Sequence, residues 1–273
     1  MGSQAETKEE RIEGNIFKLD FKTFGRVTVS LPAFSLLFCL LSALIFQYDQ
    51  VNDTQCNVYN FFPSISAVTG IAPQRYVWRI CIALHSTPRF AIGAMYYNYF
   101  TSRLHLIEPS QQSLFKRLAS FAFWTYTVEN ICLVLVAYIS NVENYSLHEK
   151  IFVIFMITSC FHQFFHIILF TWCHPEIEKL KKSLNYKRIC FVIIMMFTAG
   201  LLYCFARHRW YCEPGVFSIF SICEYGIAFT NIAFHYTASI EFAGFYWYAG
   251  LPSSKVKITN GIQPANNNHS KHE

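Results

Sequence analysis

Six apolar runs of about twenty residues recur along this chain, at about 27–46, 73–100, 118–140, 149–172, 188–206 and 214–243. A helix of about twenty residues crosses a hydrocarbon core of about 30 Å. Inside that core only a helix or a closed barrel satisfies its own backbone. The pattern predicts an all-α fold, a polytopic membrane protein built as a six-helix transmembrane bundle. Composition points the same way, because only 14% of the residues are charged, against about 25% in soluble domains. The 28 Phe and 16 Tyr are more aromatic surface than a soluble fold of 273 residues can hide. The expected organisation is a cytosolic tail over 1–26, a six-span domain over 27–243 and a cytosolic tail over 244–273, disordered through its Asn-rich run at 266–268. No internal repeat is visible.

Charge sets the expected orientation. Lys18, Lys22 and Arg26 precede the first span, and Arg103, Lys116 and Arg117 follow the second. Lys179, Lys181, Lys182, Lys187 and Arg188 follow the fourth, and Lys255 and Lys257 follow the sixth. The region 47–72 on the opposite side has no Lys or Arg. The positive-inside rule therefore puts both termini in the cytosol. Two glycosylation sequons, at Asn52 and Asn144, then fall in lumenal loops, while a third at Asn268 falls in the cytosolic tail and is expected to go unused. Cys56 and Cys212 are the two cysteines of the lumenal loops, so they are either a disulfide on the oxidising side or two free thiols. The polar, mixed-charge stretch 1–26 does not read as a cleavable leader, and the first span is expected to act as a signal anchor. Glu6 breaks the myristoylation pattern.

The second run is a segment in conflict with its solvent. PQRYVWRICIALHSTPR (73–89) places Arg75, Arg79, His85 and Arg89 along one side of a helix. A charge at the bilayer centre costs about 3 kcal/mol even on lenient scales, so partners are required. Glu129 beside Asn130, Glu224, His85 and His162 fall at similar distances from the lumenal ends of four spans, at about 1.5 Å per residue. His166 follows one turn below His162. Glu224, Asn231 and His235 share a face of the sixth span. Near the lumenal ends, Arg75, Arg79, Arg207 and His208 form a candidate basic collar suited to phosphate. The alternative is an interfacial belt that only sets helix depth.

Three readings of the deep layer stay open. It is a buried ion-pair network, such as Arg89 with Glu129 or Glu224, that fixes packing. It is a metal site at His162-Gln163-Phe164-Phe165-His166, which lacks the Glu of HExxH. Or it is a lipid-facing reaction centre with a His or Glu base and Arg or Asn steadying developing charge. No nucleophile elbow, HxxxxD motif or P-loop is present, no metal or other cofactor is expected, and a transporter would need paired broken helices that the chain does not show.

The blocks PQRYVWRICIALHSTPR and RHRWYCEPGVFSIFSICEYGIAFTNIAFH (207–235), with Val128-Glu129-Asn130 and His148-Glu149, closely resemble the post-GPI attachment to proteins factor 2 family. The resemblance covers about 20–250. It implies a multi-pass Golgi membrane protein, with the endoplasmic reticulum left open as a further compartment. The implied role is remodelling of glycosylphosphatidylinositol (GPI) anchors, in which a lyso-GPI intermediate regains a saturated sn-2 chain. The implied partners are GPI-anchored proteins carrying lyso-GPI lipid, an acyl donor (acyl-CoA or phospholipid) and membrane lipids, with no nucleic acid. The family's residue roles do not carry over. On the residues alone, His85 or His162, oriented by Glu129 or Glu224, is the expected base. Arg75, Arg79, Arg89, Asn130, Arg207, His208, Asn231 and His235 are the expected substrate contacts. The rival reading is a non-catalytic scaffold that presents lyso-GPI to a separate acyltransferase.

Overall fold

The computed structural model of the chain describes residues 15–173 and 177–250. Six long helices dominate: α1 (Phe21–Phe46), α4 (Gln74–Ser102), α5 (Gln112–Tyr138), α6 (Asn141–Trp172), α7 (Glu178–Tyr211) and α8 (Val216–Glu241). Two short helices, α2 (Tyr48–Asn52) and α3 (Ile65–Gly70), lie between α1 and α4, and a 3₁₀ turn (Leu104–Leu106) follows α4. Five of the long helices are apolar enough as well as long enough to cross a membrane. The other, α4, has the length but carries Arg75, Arg79, His85 and Arg89. Large apolar side chains such as Phe34, Leu41, Met196 and Leu202 point outward, as expected where the surrounding solvent is lipid.

Local signals place the helix ends. Ser140 and Glu143 form a capping box at the start of α6, each side chain bonding the other's backbone. The α6 backbone breaks helical geometry at Asn144, and its side-chain Oδ1 accepts from the Leu147 amide to restart the helix. Ser64 caps α3 by accepting from the Ala67 amide. Cys212 ends α7 in the left-handed region, and Gly215, at φ 76°, opens α8. Glycine is the residue that takes up such a φ without steric cost.

The long helices close a ring in chain order. α1 packs on α4 and α8, α4 on α5, α5 on α6 and α7 on α8. The contact between α6 and α7 is the sparsest in the ring, which leaves a seam there. One apolar cluster of Leu36, Trp78, Ile82, Val68 and Ala137 joins α1, α3, α4 and α5. Another, of Met156, Leu201, Phe220 and Ile227, joins α6, α7 and α8.

Three expectations change. The helices begin earlier than the apolar runs: α1 at Phe21, α5 at Gln112 and α7 at Glu178. Lys179, Lys181, Lys182, Lys187 and Arg188 therefore belong to α7 and not to a loop. The reason is that a helix continues past the hydrocarbon boundary wherever its residues favour helix, so apolarity marks the core and not the helix end. The C-terminal tail is also not structureless throughout. Asn15–Asp20 and Tyr246–Gly250 form strands β1 and β2, paired antiparallel as a two-stranded unit, with Lys18 over the Tyr246 ring at 4.2 Å. Residues 1–14 and 251–273, including the Asn-rich run and the Asn268 sequon, lie outside the described residues.

Candidate functional site

The charged stripe of α4 meets its partners inside the ring. The Arg89 guanidinium, 2% exposed, lies 3.0 Å from Oε1 of Glu129, which is fully buried on α5. The ring Nε2 of His235 on α8 sits 2.9 Å from the same guanidinium nitrogen and 3.0 Å from the same carboxylate oxygen. An arginine only donates. His235 Nε2 therefore either accepts from Arg89 or, when protonated, donates to Glu129; it cannot do both. Asn231, one turn earlier on α8, donates to Glu129 Oε1 at 3.3 Å and to Ser159 of α6 at 2.8 Å. Gln163 also donates to Ser159, at 3.2 Å. Oε2 of Glu129 is buried with no hydrogen-bond partner. Arg89 stacks over the Tyr126 ring at 4.9 Å, a cation–π contact in a desolvated setting. Gly93 makes room for that ring, since a Cβ there would fall 2.7 Å from Tyr126 Cδ1.

Three histidines are oriented by backbone carbonyls. His85 Nδ1 lies 2.9 Å from the Thr28 carbonyl, His148 Nδ1 2.7 Å from Ile139 and His162 Nδ1 3.3 Å from Ala122. A carbonyl only accepts, so each Nδ1 carries the proton, and Nε2 holds the lone pair of the neutral ring. His85 and His148 both line a chamber of about 90 Å³, together with Arg89, Asn231 and His235. His162 lies behind that chamber, its ring parallel to His235 at 5.8 Å and its neighbour His166 at 5.5 Å.

The chamber borders a much larger space. At the α6–α7 seam, backed by α8, a groove of about 750 Å³ is lined mostly by apolar side chains. Ser66, His148, Phe152, Met156 and Glu224 border both spaces. Glu224 accepts from the Ile65 amide at 2.7 Å, so α3 is held over this junction. A disulfide joins Cys56 to Cys212, with their Cα atoms 5.4 Å apart, and ties the loop that carries α3 to the end of α7.

The structure redistributes the residues expected from sequence. It brings His85, Glu129, Glu224, Arg89, Asn231 and His235 to one region, and it pairs Arg89 with Glu129, leaving Glu224 to the backbone of α3. The expected orientation of His85 or His162 by Glu129 or Glu224 is not what is seen: His235 is the histidine in contact with a carboxylate. The arginines of the candidate basic collar have acidic neighbours. Arg79 is 2.6 Å from Glu143 and also donates to the Ala137 and Tyr138 carbonyls, Arg75 is 3.9 Å from Glu143, and Arg207 pairs with Glu213. Arg75 and Arg79 thus share one carboxylate, and Arg207 has its own. His208 is buried against the Phe217 ring. Asn130 turns to the Ser86 carbonyl at 2.9 Å and ties α5 to α4 below Pro88. Asn52 is buried, its Nδ2 donating to the Tyr48 carbonyl, whereas Asn144 is exposed, so of these two Asn144 is the one that offers its amide to the outside. Among the described residues no group of three or more His, Cys, Asp or Glu is arranged to hold a metal ion.

The sequence reading missed a second buried cluster. Lys187 of α7, 1% exposed, lies 3.2 Å from Glu241 of α8. Ser183 and Tyr96 both donate to Glu241 at 2.5 Å, and Tyr96, Phe170 and Phe234 rings enclose the ammonium. The signal was available: Lys187 and Glu241 fall at matching ends of two neighbouring spans, the same depth argument that connected Glu129 and Glu224.

Residues 21–245 match the Frag1/DRAM/Sfk1/Cwh43P N-terminal domain family. The chain is 42% identical to a Drosophila melanogaster protein called "Post-GPI attachment to proteins factor 2-like", covering 79% of this chain and 67% of that one. It is 36% identical to "Acyltransferase PGAP2" of Xenopus tropicalis, covering 85% of this chain and 92% of that one. It is also 36% identical to "Post-GPI attachment to proteins factor 2" of Caenorhabditis briggsae, covering 85% and 89%. No solved structure matches it significantly.

Proposed function

The chain belongs to the Frag1/DRAM/Sfk1/Cwh43P N-terminal domain family and, within it, to the post-GPI attachment to proteins factor 2 group, and from that premise we propose that it reacylates lyso-GPI anchors at sn-2 in the lumenal leaflet of the Golgi. In this reading α1 and α4 to α8 are the six spans and both termini are cytosolic. The observation that carries the reading is that a chamber lined by His85, Arg89, Asn231 and His235 shares Ser66, His148 and Glu224 with the apolar groove. A lipid chain in the groove brings its ester to the level of the chamber. Pockets of about 300–1,000 Å³ with a few converging polar groups are where small ligands bind.

Within the chamber His85 has the role of general base. The Thr28 carbonyl fixes its tautomer, which leaves the Nε2 lone pair for the proton of the free sn-2 hydroxyl. Arg89 and Asn231, which line the chamber, stabilise the oxyanion that forms as the ester carbonyl is attacked. Glu129 is a positioning residue that holds Arg89, Asn231 and His235 together. Name-level support comes from the Xenopus tropicalis relative, which is called an acyltransferase.

The test uses the purified full-length chain in liposomes with a lyso-GPI-anchored protein, supplied with labelled long-chain acyl-CoA and labelled diacyl phospholipid together. The expected result is conversion to a diradyl anchor, lowered about 10²- to 10⁴-fold by His85→Ala at an unchanged melting temperature. Unchanged turnover in His85→Ala removes that residue from the chemistry. Binding of lyso-GPI with no turnover by the wild-type chain establishes the presenting scaffold instead.

A further inference from the structure

We infer that the acyl donor is a diacyl phospholipid with a cationic headgroup, choline or ethanolamine, drawn sideways from the bilayer through the α6–α7 groove. This rests on the acyl-transfer reading and names its second substrate. Along α6 the groove runs from Tyr145 to Phe161. At about 1.5 Å per residue that is about 24 Å, which exceeds half of a hydrocarbon core of about 30 Å. It is therefore long enough for a chain of one leaflet.

Polarity along the groove follows the order of groups in a lipid. Tyr145, His148 and Glu149 line it near the start of α6, and Val153, Ile157 and Leu202 line it further in. The acidic residues of the lining are Glu149, near the start of α6, and Glu224, buried at the border with the chamber, and the lining has no Lys or Arg. Glu149 and Tyr145 at the mouth attract a quaternary or primary ammonium, and the lining offers a polyanion no Lys or Arg. A coenzyme A thioester, with its several phosphate charges, is disfavoured by the same lining.

The other approach to the chamber is sealed. Beyond His85 and Arg89 the interior narrows to a void of about 10 Å³ bordered by His162, His166 and Lys187. That is room for about one water molecule. The Lys187–Glu241 pair and the Tyr96, Phe170 and Phe234 rings close it. The groove and chamber also lie toward the ends of α6 and α7 nearest the Cys56–Cys212 disulfide, and disulfides form in oxidising compartments.

The step is an ester exchange. The acceptor hydroxyl oxygen bonds to the donor's carbonyl carbon, and the bond from that carbon to the donor's glycerol oxygen breaks. The acceptor's proton ends on that glycerol oxygen. One ester is consumed and one formed, and the second product is a lysophospholipid, so no oxidant, reductant or activated carrier is needed.

The experiment gives the reconstituted full-length chain a lyso-GPI-anchored protein and one labelled donor at a time: phosphatidylcholine, phosphatidylglycerol with the same chains, or the matching acyl-CoA. The expected result is transfer from phosphatidylcholine, at least tenfold less from phosphatidylglycerol, and none from acyl-CoA. Transfer from acyl-CoA alone overturns the inference and leaves the acyltransferase reading standing. Equal rates from the two phospholipids overturn the headgroup assignment. Transfer from none of them overturns the acyltransferase reading and this inference with it. Phosphatidylcholine carrying a photoactivatable acyl chain reads the groove without turnover. Crosslinks should map to α6 and α7 and fall at least fivefold in Ile157→Trp, a lipid-exposed position where a larger side chain fits without repacking the core. Crosslinks that map elsewhere overturn the inference whatever the turnover.

Discussion

Two buried ion pairs divide the interior of this bundle, and they differ in what surrounds them. Arg89, paired with Glu129 behind it, lines a chamber that borders a lipid-sized groove, with His235 poised between accepting from one and donating to the other. Lys187 and Glu241 are as deeply buried, but aromatic rings and two hydroxyl donors leave them almost no free space. A buried ion pair is weak evidence for function or for stability, because desolvation offsets much of the attraction. What separates the two is access: the first pair can meet a ligand, while the second can only hold helices and close a path. The comparison teaches that charge inside a membrane protein is read from the cavity beside it.

The largest expected effect breaks each pair on one side only. Glu129→Leu and Lys187→Met each leave an uncompensated buried charge, so each should cost about 3–5 kcal/mol of stability, seen as a lowered melting temperature in detergent. Removing both partners then sharpens the difference. Lys187→Met with Glu241→Leu should recover the melting temperature and keep reacylation, whereas Arg89→Met with Glu129→Leu should recover the melting temperature alone. Equal activity in the two double variants would erase the functional distinction between the clusters.

A smaller effect is expected from the disulfide, which belongs to the open side. Cys56→Ser with Cys212→Ser should cost about 2–4 kcal/mol. The loss should appear as faster amide exchange in α3 and around Glu224, with exchange near Lys187 unchanged. Uniform loosening of both regions would mean that the tie acts on the whole bundle. The smallest effect belongs to the rim. Arg75→Ala removes a pair at 3.9 Å between partly exposed side chains and should change stability by about 0–1 kcal/mol, with reacylation unaltered. A large loss of activity would return Arg75 to the substrate contacts proposed from sequence.

Much of this division was legible before any coordinates. His85, Arg89, Glu129, Glu224, Asn231 and His235 stand out because ionisable residues in apolar runs are costly, and the depth of each follows from the constant rise of a helix. Depth says nothing about rotation or neighbours, so it could not choose Glu129 over Glu224 for Arg89, or His235 over His162 for Glu129. Glu143, Glu213 and Lys187 do not stand out as ion-pair partners because they lie at span boundaries, where charge is cheap in sequence terms. Only the fold showed that Glu143 and Glu213 pair with the rim arginines and that Lys187 is enclosed.

The sequence alone determined the solvent, the class of fold and the membership in a family, since each rests on local content: apolar runs of fixed length, charge bias between loops, and two long motif blocks. The tertiary structure decided which carboxylate each cation meets, which histidine faces a cavity, and where the ring of helices parts. Those outcomes depend on how six helices rotate and pack against one another, and such long-range choices leave no periodic trace in any single segment.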